Sequence, residues 1–66
     1  MWVTHEEAIE MYARFWATRH GDAAVASARK RASALEQNGD AKGFHVWNEV
    51  ADVIEEKRRE RRSVRH

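Results

Sequence analysis

Cysteine and proline are absent from this 66-residue chain, and glycine occurs three times. Without cysteine there are no disulfides, thiolate metal ligands or thiol nucleophiles, so stability has to come from packing or association. With no proline, and glycine confined to positions 21, 39 and 43, almost nothing interrupts a helix. No apolar run approaches the roughly 20 residues of a membrane-spanning helix. The opening MWVTHEEAIE has no basic stretch ahead of an apolar one, so neither secretion nor membrane insertion is expected. The expected setting is cytoplasmic. A chain this short buries only about 60% of its unfolded surface, and a second copy would supply further burial.

Charge of either sign is nearly cancelled, at +1 overall, yet it is unevenly placed. Residues 1–56 hold ten acids and six bases, a net −4, whereas residues 57–66 hold six bases and Glu60, a net +5. This divides the chain into a folded body, 1–56, and a basic C-terminal extension, 57–66.

What is present is helical periodicity in three stretches. Thr4 followed by Glu7 is the capping-box pattern of a helix start, and a first helix is expected over 5–20. Along it Ile9, Tyr12, Ala13 and Trp16 share a face, with Phe15 beside them, while Glu6, Glu7, Glu10 and Arg14 lie opposite. A second helix, 23–38, turns Val25, Ala28, Ala32 and Leu35 to one side. A third, 41–62, aligns Trp47, Val50, Ala51 and Ile54. Large side chains on the first and third helices facing alanines on the second predict an all-α fold. The expected architecture is an antiparallel up-down-up three-helix bundle with an overhanging third helix. Tyr12, Trp16 and Trp47 are expected in its core.

Gly-Asp-Ala occurs at 21–23 and returns at 39–41. Glycine accepts the left-handed backbone that ends a helix, and aspartate accepts amide hydrogens at the start of the next, so both copies read as helix punctuation. The flanks argue against duplication: 18 positions after Tyr12, Phe15 and Trp16 come Lys30, Ser33 and Ala34.

Catalytic chemistry has little to build on. His5, His20, His45 and His66 show neither His-Glu-x-x-His nor Glu-x-x-His spacing. Asp52, Glu55 and Glu56 fall on the solvent side of the third helix, and Ser27, Ser33 and Thr18 have no local histidine base. No enzyme activity, cofactor, metal or small-molecule substrate is expected.

Two functions remain. The first is a non-enzymatic protein–protein interaction module, self-associating as a homodimer or binding another protein. Met11 and Phe15 border the apolar face of the first helix, and Val46 and Val53 that of the third; these four are the expected contact residues. The alternative is a nucleic-acid-binding accessory protein. Lys57, Arg58, Arg59, Arg61, Arg62 and Arg65 would neutralise phosphates, with Arg29, Lys30 and Arg31 as a smaller basic group. Against the alternative, no aromatic residue interleaves the extension to stack on bases.

Residues 11–55, through Tyr12, Ala13, Arg14, His20, Gly21, Gly39, Asp40, Trp47, Val50 and Ala51, resemble short bacterial helical proteins of uncharacterised function. The resemblance implies a helical bundle in a bacterial cytoplasm and carries no site residue.

Overall fold

A computed structural model describes the backbone from Thr4 to Val64 and the side chains as far as Glu60. Helix α1 (His5–His20) begins where the capping box predicts. The Thr4 hydroxyl accepts from the Glu7 amide at 3.0 Å, and the Thr4 amide donates to Glu7 Oε1 at 3.0 Å. Two otherwise orphaned donors are thereby satisfied, with Glu6 and Glu7 at the positive end of the helix dipole. The helix stops at Gly21, whose φ of 55° and ψ of −129° favour glycine.

A single 3₁₀ turn, Gly21–Ala23, leads straight into α2 (Ala24–Gln37). Residues 5–37 therefore form one bent rod. The second Gly-Asp copy behaves differently: Gly39, at φ 83°, closes α2, and Asp40 Oδ1 accepts from the Gly43 amide at 2.8 Å to open α3 (Ala41–Val64). At the first copy the start of α2 has no side-chain cap, and Asp22 turns away to accept a hydrogen bond from Arg58 at 2.8 Å. The expected capping role of Asp22 is corrected: the 3₁₀ turn already satisfies part of the helix start, which frees the carboxylate for α3.

Helix α3 packs antiparallel against the rod, chiefly along α2. Ala24, Ala28 and Ala32, four residues apart, are at most 1% exposed. The first two belong to one apolar cluster with Val50, Ala51 and Ile54 of α3. A row of alanines lets two helices approach to the short end of the ~8–10 Å range of axial separations. Helix α1 adds only Ile9 and Ala13 to the buried set.

The course of α1 over α3 is oblique. His5 reaches Glu49 at 2.8 Å, and Asp22 reaches Arg58 at 2.8 Å. Seventeen residues along the rod, about 25 Å, thus correspond to only nine along α3, about 14 Å. The all-α expectation and the three helical stretches stand. In place of three rods side by side, residues 5–37 make one bent rod whose α2 part lies antiparallel to α3, while α1 crosses α3 obliquely with its contacts advancing in the same sense as α3, because the Gly21–Ala23 turn bends the chain without laying α1 along α2. Its Cα radius of gyration is 12.6 Å, against about 11 Å for a compact domain of this length.

The bend has a consequence for the rings. Tyr12 and Phe15 are 55% and 56% exposed, and Trp16 and Trp47 are half-buried. The expectation of Tyr12 in the core is corrected. Among the described residues the buried apolar ones are Ile9, Ala13, Ala24, Ala28, Ala32, Val50, Ala51 and Ile54, five of them alanine. No helix among the described residues is long and apolar enough to cross a membrane.

Candidate protein-binding face

Successive residues on a helix step round by about 100°, and buried Ile9 and Ala13 define the inward direction of α1. One step forward lie Glu10 and Arg14, which line a cleft of about 370 Å³ with Val53 and Ile54. One step back lies Tyr12, on the side of Trp47. Met11 and Phe15, four residues apart, project away from the body at 60% and 56% exposure. Taking about 200 Å² for each side chain when fully exposed, the Met11–Tyr12–Phe15 ridge presents on the order of 350 Å², the size at which an apolar patch on a monomer is often functional.

The ridge is anchored by rings beneath it. Tyr12 is tilted against Trp47 with centroids 6.4 Å apart, Trp47 meets Trp16 edge-on at 4.7 Å, and Trp16 lies 4.1 Å from His20. Two arginines border the strip: Arg19 sits 5.7 Å from the Phe15 ring centroid, and Arg31 sits 5.1 Å from that of Trp47. An aromatic–Arg border of this kind is common in protein interfaces. The charge of α1 also runs in one direction. Glu6, Glu7 and Glu10 occupy its N-terminal half, and Arg14 and Arg19 its C-terminal half.

The four expected contact residues are not one surface. Met11 and Phe15 share the exposed ridge, whereas Val46 and Val53 are half-buried and packed on the core. Val53 lies beyond the opposite flank of α1, in the cleft with Glu10 and Arg14. The exposure of Tyr12 was not legible in the sequence because its position fits either the inward arc or its edge, and only the tilt of α1 decides between them.

The basic residues divide as well. Arg58 is half-buried and held by Asp22, Lys57 lines the cleft, and Arg59 has an interaction of its own. The backbone at Arg61 and Arg62 is helical, their side chains lie beyond the described ones, and Arg65 lies outside the described residues. In the smaller group, Arg29 donates to Asn48 at 3.0 Å, Asp52 at 2.7 Å and Glu55 at 3.4 Å. The hydrogen bond to Asp52 is the main reason its pKa lies above the ordinary guanidinium value. Arg29 thus joins α2 to α3, and Asp52 and Glu55 serve the same bridge. Among the described residues no three His, Asp or Glu side chains converge. The Thr18 hydroxyl donates to the Arg14 carbonyl at 2.9 Å.

No protein-family model, characterised protein or solved structure compared with this chain matches it.

Proposed function

We propose that the protein is a non-enzymatic interaction module that self-associates through the Met11–Tyr12–Phe15 ridge of α1, in a cytoplasmic setting that its cysteine-free composition fits. One contrast carries the reading. Among the described residues the chain buries five alanines and three larger apolar side chains, while it leaves Met11, Tyr12 and Phe15 each more than half exposed. Covering that ridge would give a short chain the apolar burial its own core lacks. An interface built on about 350 Å² from each copy falls in the small, transient class, with micromolar or weaker affinity.

Sedimentation equilibrium from low to high micromolar concentration tests this. Wild type shifts from monomer to dimer, and Met11→Glu combined with Phe15→Glu stays monomeric while keeping its helical circular dichroism. A wild type that is monomeric throughout, or a double variant that associates as wild type does, refutes it.

Nucleic-acid binding is the second reading, supported by the continuation of the helical backbone of α3 to Val64, six residues past the Arg58 that Asp22 holds. Removal of residues 57–66 would then abolish a binding that weakens steeply with salt. Salt-independent binding, or binding that survives truncation, rules it out.

A further inference from the structure

The outward face of α1 carries a second regularity. Thr4, Ala8, Met11, Phe15 and Thr18, exposed except for the half-buried Ala8, recur at alternating intervals of four and three, the spacing that keeps a seam facing a partner helix. The seam is graded in size, with Thr4 and Ala8 small at the N-terminal end and Met11 and Phe15 large further along. Its flanks differ too. Glu7 and Arg14, seven residues apart, lie along one side; His5, Tyr12 and Arg19, also seven apart, lie along the other.

We infer that the occupant of the ridge is α1 of a second copy, laid antiparallel, with Met11 over the partner's Ala8 and Phe15 over the partner's Thr4. This rests on the self-association proposed above and adds its geometry. In an antiparallel pair each flank faces the same flank of its mate. The register that sets large against small residues also brings Glu7 of each copy level with Arg14 of the other, forming two opposite-charge pairs by symmetry. A parallel pair would set the Glu7–Arg14 flank against the Tyr12–Arg19 flank, with Arg14 beside Arg19 and large residues against large.

Both members of the pair are available. Glu7 is exposed and uses Oε1 for the Thr4 amide, which leaves its second oxygen. The exposed Arg14 guanidinium has no partner among the described residues. The two helix dipoles also oppose each other in the antiparallel arrangement.

Charge exchange and distance together test the geometry. Arg14→Glu weakens homodimerisation roughly ten-fold, and mixing it with the Glu7→Arg chain restores a heterodimer of wild-type affinity. A capping defect in Glu7→Arg cannot produce that rescue. Since the chain has no cysteine, a spin label on Thr18→Cys is unambiguous. The antiparallel register places the two labels about 25–30 Å apart, against about 10–15 Å for parallel helices. Dimers with the long distance and the rescue support the inference. Dimers with the short distance, or tightened by Arg14→Glu, overturn it while leaving self-association intact; absence of any dimer overturns both.

Discussion

Ala28 has no exposed surface and sits in the middle of the row formed by Ala24, Ala28 and Ala32. Leucine at this position adds three carbon atoms where α2 and α3 touch, and the seam can admit them only by parting the helices or forcing poor rotamers. Overpacking of this kind costs about 1–3 kcal/mol. The whole chain, at roughly 0.05–0.15 kcal/mol per residue, has only about 3–10 kcal/mol to lose. With an unfolding entropy of about 2.1 cal/mol/K per residue, a loss of 2 kcal/mol lowers the melting temperature by roughly 14 °C. Thermal unfolding followed by circular dichroism measures this directly. Ala26→Leu, on the exposed side of the same helix, provides the control and should melt within a few degrees of wild type. If Ala28→Leu melts at or above the wild-type temperature, or Ala26→Leu falls as far, the close alanine seam is the wrong account of how α2 meets α3.

Alanine at Gly21 or Gly39 should each cost about 1–2 kcal/mol in urea unfolding. Nothing lies within 4 Å of a Cβ at either position, so the positive φ values of 55° and 83° are the whole cause, and a neutral result would refute the strain argument. Arg29→Lys replaces a three-partner fork by one point donor. With the side chain 41% exposed, the loss is held to about 0.5–1 kcal/mol and shrinks in molar salt. The raised Arg29 pKa makes its contribution complete below the unfolded value and lost only in strong alkali. The difference from Arg29→Lys should therefore be flat between about pH 7 and 9. Thr4→Ala and Glu7→Ala should each cost about 1 kcal/mol, and the double variant less than their sum, because they disrupt one capping box. The Trp16 indole nitrogen is buried without a hydrogen-bond partner among the described residues. Trp16→Phe should thus unfold within about 1 kcal/mol of wild type, while Trp16→Ala loses about 2 kcal/mol or more.

Helix positions were legible because their signals are local. Thr4 and Glu7 lie three residues apart, Asp40 caps the helix that follows it, and these two helix starts need only their own neighbourhood. The alanine face of α2 was legible for the same reason, through a four-residue period. What the sequence left undetermined depends on the angle between elements. Gly-Asp-Ala reads alike in both copies, yet one ends with Asp22 held by Arg58, 36 residues away, and the other with Asp40 capping its own helix. Tyr12 was legible as a residue of the apolar arc, and its exposure follows only once α1 is seen to cross α3 obliquely. Met11 and Phe15 could be read as border residues from the helical wheel. Val46 and Val53 have an equivalent place on theirs, and packing of α1 on α3 half-covers them. Arg29 could not be separated from Lys30 and Arg31 by composition, since its partners Asn48, Asp52 and Glu55 come from the other side of the chain reversal.

The small share of α1 in the interior means that this molecule can come apart in stages. Only Ile9 and Ala13 of α1 are fully buried, with Trp16 and Ala17 packed half-buried against the core, and Gly21 offers a pivot at its base, so detaching the arm breaks fewer contacts than parting α2 from α3 and leaves that hairpin zipped. Amide protons should accordingly sort into two tiers of exchange lifetime, shorter for residues 8–20 and longer for 28–35 and 47–55. In a dimer held by α1, the first tier alone would lengthen with protein concentration, so the partner acts as a latch on the arm.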